Sequence, residues 1–263
     1  MSAEKIRALR AALDKNKLVC GTFQLATDPM VTEILLGEDF DFVLVDAEHR
    51  ALNPESIEGI VRAAQGLNKS ALVRIRQLTR SDIQYALDAG AVGVLVPLVN
   101  DRADAELAVS FSRYPPMGTR GLNAGTRAAG WGASDSAGYT RAANRSTVVA
   151  VQIESRAALE NLNEIASVKG VDMLFVGPFD LSLSLGLTGQ LNHPDVRAAI
   201  RQIFNVGRKH GKWLGVLAPD PAFARWCLGL GVRFLAYRSD TRMLKAAAAA
   251  SAAETTALRK RVP

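Results

Sequence analysis

The 263-residue sequence alternates eight short runs of β-branched and aliphatic residues with stretches that have helical spacing. This alternation predicts parallel strands joined by right-handed helical crossovers. Eight such units in one chain of this length favour an α/β fold of the (β/α)8 TIM-barrel type, with residues 1–263 as a single domain, over an open doubly wound sheet. The predicted strands are Leu18–Gln24, Phe42–Asp46, Ala71–Ile75, Val92–Pro97, Val148–Glu154, Met173–Gly177, Trp213–Leu217 and Phe234–Tyr237.

Helices are predicted at both ends of the chain and between the strands. Apolar residues at Ile6, Leu9 and Leu13 predict an amphipathic N-terminal helix over Ser2–Asn16, and Asp240–Arg261 is helix-prone, with an alanine run as a packing face. Internal helix boundaries follow from capping residues, proline and glycine. We expect helices from Pro54 to Gly66, from a Ser81 cap to Gly90, after a Ser155 cap, and from Pro194 to Gly211.

Composition and charge exclude several classes of protein. The two cysteines, Cys20 and Cys227, lie in apolar segments without CxxC spacing, which predicts buried free thiols and no cysteine zinc site. The net charge of +6 is scattered among 26 acidic residues without a basic run, so we expect attraction of small anionic substrates and no nucleic-acid binding. The absence of a GxGxxG segment after any strand argues against a nucleotide cofactor. No apolar run is long enough to cross a membrane, and we expect a soluble, cytoplasmic protein.

Several predicted strands finish at residues that can carry chemistry. Barrel enzymes place their active sites at the carboxyl ends of the strands, so these residues form a candidate site. An alternative for the second strand is that Asp46 caps the following turn and His49 lies on the surface. The strand-end residues are Asp46, Glu48 and His49; Arg74 and Arg76; Gln152 and Glu154; and Gly177, Pro178, Phe179 and Asp180.

Two of these residues suit a metal ion. Glu154 and Asp180 end neighbouring strands, and two carboxylates without closely spaced Cys or His are hard oxygen ligands for Mg²⁺ or Mn²⁺. The alternative is that each acid caps its next helix. Lys69, Lys169 and Lys212 precede strands and are expected at the opposite face. We therefore expect no Schiff-base lysine, and a carbanion would have to be stabilised by the metal.

The sequence resembles the HpcH/HpaI family of class II, metal-dependent pyruvate aldolases, which includes 4-hydroxy-2-oxoheptanedioate aldolase and 2-keto-3-deoxy sugar acid aldolases. The resemblance implies a lyase that reversibly cleaves a 4-hydroxy-2-oxo acid to pyruvate and an aldehyde through a metal-stabilised enolate. The matching segments are FDFVLVDAEH (40–49), LVRI (72–75), LDAGAVGVLVPLV (87–99), RYPPMGTRG (113–121), VQIESRAAL (151–159), VKGVDMLFVGPFDLS (168–182) and HPDVRAAI (193–200).

The resemblance also implies roles for individual residues. Glu154 and Asp180 would bind Mg²⁺, Mn²⁺ or Co²⁺, and Arg74 would contact the oxo oxygen of the substrate. His49, oriented by Asp46, would be the acid/base. Asp88 matches a family carboxylate that supports the site, although packing or capping is an equally open interpretation. The residues expected to bind substrate are Gln152, Gly177, Pro178, Phe179, Asp180 and Leu217.

Some features depart from the family or leave alternatives open. Phe179, Tyr237 and Arg238 are bulkier than is usual there, and the segment Asn123–Tyr139 is expected to be a lid or an interface loop, with Arg120 or Arg127 contacting the acceptor. Similar enzymes exchange the C-terminal helix between subunits, which implies a homohexamer built as a trimer of dimers. Oxaloacetate decarboxylation, a citryl- or malyl-type acyl-CoA lyase and a catalytically silent scaffold remain alternatives, and the sequence does not name the aldehyde.

Overall fold

Eight parallel strands close into a barrel in chain order in the computed structural model, which describes residues 3–259 and their side chains from Leu9 onward. The predicted (β/α)8 fold is confirmed. The strands are β1 Val19–Gln24, β2 Phe42–Asp46, β3 Ser70–Arg74, β4 Gly93–Val96, β5 Val148–Ile153, β6 Met173–Val176, β7 Trp213–Ala218 and β8 Phe234–Ser239. The helices are α1 Ala3–Asp14, α2 Pro29–Gly37, α3 Pro54–Gly66, α4 Arg80–Asp88, α5 Arg102–Ser112, α6 Ser136–Ser146, α7 Arg156–Glu160, α8 Leu162–Ser167, α9 Pro178–Ser184, α10 Pro194–Lys209, α11 Pro221–Gly229 and α12 Asp240–Arg259.

The alternation of side chains along each strand builds two apolar layers. In β2, Phe42 and Leu44 belong to the cluster inside the barrel, whereas Val43 and Val45 belong to the cluster between strands and helices. All four are fully buried, because both faces of a parallel sheet are covered. β2 therefore has no polar position until Asp46 at its end, where the barrel opens.

Most helix boundaries follow the local capping chemistry that the sequence predicts. α3 runs from Pro54 to Gly66, and Ser155 caps α7 by accepting a hydrogen bond from the Ala158 N–H at 3.0 Å. The expected Ser81 cap is wrong. Thr79 caps α4 by accepting from the Asp82 N–H at 3.1 Å, so Ser81 lies inside the first turn. The outermost residues of the predicted terminal helices, Ser2 at one end and Lys260 and Arg261 at the other, lie outside the described residues.

Two ion pairs join α1, the loop after α5 and the residue before β6 at the amino end of the barrel; Arg113 is buried, and Arg10 is half-buried. Asp172 accepts hydrogen bonds from Arg10 at 2.6 Å and from Arg113 at 2.9 Å, and Arg113 also donates to the Thr147 carbonyl at 2.7 Å. Burial lowers the pKa of Arg113, and Asp172 raises it in partial compensation. The RYPP segment thus supplies a structural arginine, far from the strand ends where the site is expected.

The C-terminal helix α12 leaves the barrel from its mouth, the end at which the strands finish. Asp240 anchors its first turn, because its carboxylate accepts from the backbone N–H groups of Leu25 at 2.9 Å and Ala26 at 2.7 Å. Beyond that turn the helix is largely exposed, including Leu244 and Leu258 at 71% and 61%. Within residues 3–259, none of the helices combines the length and apolarity needed to cross a bilayer. Both cysteines are free; Cys227 is fully buried as predicted, whereas Cys20 is only half-buried, which corrects the prediction for that thiol.

Candidate active site

Strand alternation brings the predicted site residues to one place above the interior cluster. Asp46 follows Phe42 and Leu44 at intervals of two, and Arg74 follows Leu72 in the same way, so both side chains face inward at the mouth. The register pairs Asp46 of β2 directly with Arg74 of β3. Leu217 of β7 is half-buried and packs on the interior cluster, also near the mouth.

Arg74 is held by two carboxylates. Its Nε and Nη2 donate to the two oxygens of Asp46 at 3.0 and 2.8 Å, and its Nη1 lies 2.9 Å from Glu48 Oε2. The guanidinium also lies 4.9 Å from the centre of the Phe23 ring. A two-pronged hydrogen bond to carboxylate fixes the guanidinium plane as well as its charge. Arg74 therefore presents a fixed cationic face to the mouth of the barrel.

Asp46 does not pair with the imidazole of His49, which corrects the expected orientation of that ring. The Asp46 carboxylate accepts instead from the backbone N–H groups of Glu48 and His49, each at 3.2 Å. The His49 side chain is 59% exposed, and its Nε2 lies 3.8 Å from Glu48 Oε2. Asp46 thus caps the turn, as the alternative interpretation stated, and holds Arg74 at the same time.

The Glu154 carboxylate is buried, and only two hydrogen bonds offset the cost of burying its negative charge. Its Oε1 accepts from the Leu98 N–H at 3.0 Å, and its Oε2 accepts from the Gln152 side-chain amide. Burial raises the pKa of the Glu154 carboxyl to about 7; the two hydrogen bonds lower it, and the charges of Asp180 and Glu48 raise it again. Leu98 was not predicted from the sequence. Its N–H donates to Glu154 from a left-handed backbone conformation, with φ of 52°. No pattern in the sequence specifies that conformation.

The second predicted carboxylate lies in the first turn of α9. Asp180 follows Gly177 and Pro178 at the end of β6, and α9 begins without a hydrogen bond from any described side chain to its first N–H groups. Gly177 is required by its surroundings, because a Cβ there would lie 2.6 Å from Gln152 Nε2 and closer still to Glu154 Oε2. The β6–α9 junction therefore approaches Glu154 as closely as a backbone can.

These residues fit a divalent cation. The charges of Asp180 and Glu48 act on Glu154, the charge of Asp180 acts on Glu48, and Arg74 offsets the charge of Glu48. Glu48, which the sequence reasoning left without a role, has its pKa raised by burial and lowered in part by Arg74. The buried Gln152 Oε1 has no hydrogen-bond partner in the described part of the chain. Uncompensated negative charge and a free carbonyl oxygen are what an oxygen-liganded cation would satisfy.

The protein would supply only part of the coordination. Across the described residues, no three His, Cys, Asp or Glu side chains gather closely enough to enclose a metal ion. Mg²⁺ commonly takes one or two carboxylates and fills the rest of its octahedron with water and substrate. The pair Glu154 and Asp180 matches that pattern better than a closed protein cage.

The bulky residues at the mouth occupy packing positions. Phe179 is half-buried against the outer core, with the Arg242 guanidinium 5.4 Å from its ring centre. The β1–β8 register shifts between Gly21 and Phe23, and on β8 Arg238 takes a positive φ of 59°. Arg238 lies 5.1 Å from the ring centre of Tyr237. An irregularity of this kind bends the strand locally, and Tyr237 packs against the outer core.

Asp88, Arg120 and Arg127 lie at the opposite end of the barrel. Arg120 donates to Asp88 at 2.7 Å, and Arg127 donates to the Ala89 carbonyl at 3.1 Å, both at the end of α4. A helix that follows a barrel strand returns the chain to the amino end, which is why Asn123–Tyr139, after α5, is also there. Within one chain, the segment does not cover the site, neither Arg120 nor Arg127 reaches the acceptor, and Asp88 does not support the site, which corrects those expectations. The alternatives of an interface loop and of a packing or capping role for Asp88 agree with these positions.

The lysines also lie away from the mouth. Lys69 and Arg127 line a cavity of about 330 Å³ beside the end of α4. Lys212 donates to the carbonyls of Val168 and Val171 at 2.9 and 2.8 Å, just before β7. Both positions agree with the predicted placement of these lysines before strands.

Known proteins of the aldolase type are similar to this chain over nearly its whole length. The family model for HpcH/HpaI aldolase/citrate lyase matches residues 20–247. A 5-keto-4-deoxy-D-glucarate aldolase of Escherichia coli O9:H4 is 37% identical over 90% of this chain and 92% of its own. A 2-keto-3-deoxy-L-rhamnonate aldolase of Klebsiella pneumoniae is 38% identical over 92% of this chain and 91% of its own.

A solved structure extends the comparison to three dimensions. The crystal structure of citrate synthase SbnG has a TM-score of 0.88 and 30% identity, and the alignment covers 96% of this chain and 98% of that one. The predictions of the family and of an aldolase-type lyase are confirmed. The chain belongs to the HpcH/HpaI aldolase/citrate lyase family.

Proposed function

We propose that the protein is a divalent-metal-dependent aldolase that cleaves a 4-hydroxy-2-oxo acid to pyruvate and an aldehyde and catalyses the reverse addition. The observation that carries the proposal is the arrangement at the mouth, where the carboxylates of Glu154 and Asp180 share a site with an Arg74 fixed by Asp46 and Glu48. The names of the 5-keto-4-deoxy-D-glucarate and 2-keto-3-deoxy-L-rhamnonate aldolases support the substrate class.

Glu154 and Asp180 would hold the cation, and the carboxylate pair accepts Mg²⁺, Mn²⁺ or Co²⁺ according to availability. When bound, the cation would supply Lewis-acid stabilisation of the negative charge that develops on the oxo oxygen of the substrate. Arg74 adds a fixed donor at the same oxygen. The uncapped first turn of α9 offers the N–H groups of Phe179 and Asp180 to the substrate carboxylate; Pro178, which has no N–H, begins that turn. Gln152, Gly177 and Leu217 line the space between them.

In the cleavage direction, His49 accepts the proton of the C4 hydroxyl and the C3–C4 bond breaks. The electron pair moves to C3 and into the adjacent oxo group, whose oxygen faces Arg74, and the aldehyde leaves. C3 then takes up a proton to give the methyl group of pyruvate. Protons and electrons balance without an added oxidant, and the exposed ring of His49 can exchange its proton with water.

Exchange of the pyruvate methyl protons with D₂O tests this proposal without a choice of aldehyde. Proton NMR would follow chelator-treated protein before and after Mn²⁺ is added, and we expect exchange only with the metal. Glu154→Gln and Asp180→Asn should abolish exchange, whereas Glu106→Gln, which alters an exposed pair with Arg102, should retain it. Metal-independent exchange, or unchanged exchange in the Glu154 variant, contradicts the metal site. Failure of folded, metal-loaded protein to exchange contradicts pyruvate as the product.

We also infer that the protein forms a homo-oligomer through α12, as a hexamer of three dimers. The length of this helix beyond its anchor at Asp240, and the exposure of Leu244 and Leu258, support the inference, since such residues are usually covered in an assembly. Light scattering on the purified protein should give six times the monomer mass, and removal of residues 244–263 should lower the oligomeric state. The single-domain organisation over 1–263 and the cytoplasmic location stay predictions.

A further inference from the structure

A cavity of about 330 Å³ lies at the amino end of the barrel, away from the proposed active site. Lys69, Val92 and Thr147 line it, and these residues directly precede β3, β4 and β5. The C-terminal turns of α3 and α4, together with α6, form most of the remaining wall. Its volume is at the lower end of the range for small-molecule sites, and the proposed reaction uses none of its residues.

Acids from outside the cavity pair with two of its four cationic side chains. Arg62 pairs with Glu58, one turn earlier in α3, and Arg120 donates to Asp88 at 2.7 Å. None of the described residues that line the cavity is itself an Asp or a Glu. The four cationic residues in its wall are Arg62, Lys69, Arg120 and Arg127.

The other two cationic residues, Lys69 and Arg127, have no counter-charge. Neither makes an ion pair within residues 9–259, the range whose side chains are described, and the Lys69 ammonium makes no hydrogen bond there either. Lys69 is half-buried, and Arg127 is only 8% exposed. Burying a charge without a partner costs free energy, and a bound anion would offset that cost.

The two buried arginines of the cavity use only part of their donor capacity. Arg127 donates from Nη1 to the Ala89 carbonyl at 3.1 Å, which is the single hydrogen bond of its guanidinium among the described residues. The buried Nε of Arg120 has no hydrogen-bond partner in the same part of the chain. Burial and the neighbouring charge of Arg62 lower the pKa of Arg127, the direction expected where positive charge is in excess. Since a guanidinium has five N–H donors, several remain for the oxygens of a ligand.

The charges and the apolar part of the wall together indicate the class of ligand. A phosphate monoester has nearly two negative charges in one group at neutral pH, which matches two cations without counter-charges. Arginine binds phosphate through paired N–H groups, and lysine binds it as a point charge. The organic part of the ester is uncharged and suits apolar walls such as Leu87, Val92 and Ala143. We propose that this cavity binds a small organic phosphate monoester, with the phosphate on Arg127 and Lys69 and the organic group on the apolar residues.

This inference does not depend on the proposed function, because the cavity shares no residue with the site formed by Glu154, Arg74 and His49. The phosphate ester would be a second ligand of the protein and not its substrate. Binding can therefore be measured on metal-free protein without an assay of turnover.

Phenyl phosphate is a suitable probe, because at pH 8 it is a dianion with one apolar ring. Isothermal titration calorimetry on chelator-treated protein should show one site per chain with a Kd below about 1 mM. Inorganic phosphate lacks the ring, and phthalate carries its two charges on separate groups. Each should bind about tenfold more weakly than phenyl phosphate.

Variants of the two cations without counter-charges locate the probe. Lys69→Gln and Arg127→Gln should each weaken binding about tenfold or more, the effect of one charge-assisted hydrogen bond. Arg127→Lys should retain part of the affinity, because it keeps the charge but not the paired donors. Two matched controls should bind the probe like the wild type: Arg76→Gln, at the mouth after β3, and Arg102→Gln, on the exposed face of α5.

Three results would overturn the inference. The first is absence of phenyl phosphate binding by the wild type, or unchanged binding in both Lys69→Gln and Arg127→Gln. The second is loss of binding in Arg76→Gln alone, which would place the probe at the mouth. The third is binding of phthalate or inorganic phosphate as tight as that of phenyl phosphate, which contradicts an organic phosphate. Because the Lys69 side chain makes no hydrogen bond with the described residues, Lys69→Gln provides the test even if Arg127→Gln fails to fold.

Discussion

Protons and a divalent cation should compete for the carboxylate of Glu154. The structure raises the pKa of this group to about 7 by burial, whereas an ordinary glutamate has a pKa of 4.5. A metal ligand must be deprotonated, so the apparent affinity for the metal follows the ionised fraction of Glu154. The perturbation to apply is therefore a change of pH between 7.5 and 5.5.

The expected size of the effect follows from the two pKa values. With a pKa of about 7, the ionised fraction falls from about three quarters at pH 7.5 to about 3% at pH 5.5, which weakens binding about 25-fold. With the ordinary pKa of 4.5, the same change would weaken binding by only about 10%. The two cases are easily distinguished.

Isothermal titration calorimetry with Mn²⁺ across this pH range provides the measurement, and chelator-treated protein is the starting material. Glu48→Gln should move the transition to lower pH, because it removes a negative charge that raises the pKa of Glu154. Glu106→Gln should leave the profile unchanged. A wild-type affinity that changes less than threefold between pH 7.5 and 5.5 would refute the argument, since Glu154 would then be ionised throughout.

The raised pKa of Glu154 also makes the stability of the metal-free protein depend on pH. A buried acid with a raised pKa keeps its proton in the folded, metal-free protein up to about pH 7, but releases it near pH 4.5 when the chain unfolds. The contribution of Glu154 to the stability of the metal-free protein is therefore fully present below pH 4.5 and is lost as the pH rises towards and through 7. The loss has an upper limit of about 3 kcal/mol. Bound metal should oppose it.

Three variants probe the rest of the structure. Arg74→Lys cannot form the paired hydrogen bonds with Asp46. In steady-state assays of cleavage, kcat should fall about 100-fold or more, as it does when one preorganised donor is lost. A fall of less than threefold would show that the paired hydrogen bonds are not needed. The added Cβ of Gly177→Ala has no room and should displace Glu154 and Gln152. We expect Mn²⁺ binding, measured by calorimetry, to weaken at least tenfold. Binding with wild-type affinity would contradict the close approach of residue 177 to Glu154. Asp172→Asn should lower the free energy of unfolding in urea by about 3 kcal/mol, because it leaves buried Arg113 without its counter-charge; Mn²⁺ affinity, measured at the other end of the barrel, should not change.

The sequence predicted those features that depend on burial along one strand. Strands such as Phe42–Asp46 were identified correctly because a strand covered on both faces is apolar until it reaches the mouth. The same reasoning located Arg74, Glu154 and Asp180, since polar residues at strand ends project into the barrel opening. Local capping chemistry was less decisive, because Thr79 and Ser81 are both good caps and only the backbone selects Thr79.

Features that depend on contacts between segments were not predictable in the same way. Asp46 meets Arg74 because of the register between β2 and β3, which the sequence of either strand alone does not specify. The contact between Leu98 and Glu154 requires a left-handed backbone. Arg127 was placed near the acceptor from its charge, but its position after α5 takes it to the far end of the barrel.

The ion pairs at the amino end of the barrel affect how the sequence of such an enzyme can vary without loss of the fold. Arg10, Asp172 and Arg113 tie three separate segments together where no substrate arrives. The turns that surround the opening, including the stretch from Arg50 to Asn53, are exposed apart from Leu52 and contribute little to that cross-link. Mutations can therefore accumulate in the turns that surround the opening while the melting temperature of the protein is retained. A library randomised at residues 50, 51 and 76 should yield mostly folded proteins with altered aldehyde preferences, provided that Asn53, whose side chain caps α3, is left unchanged.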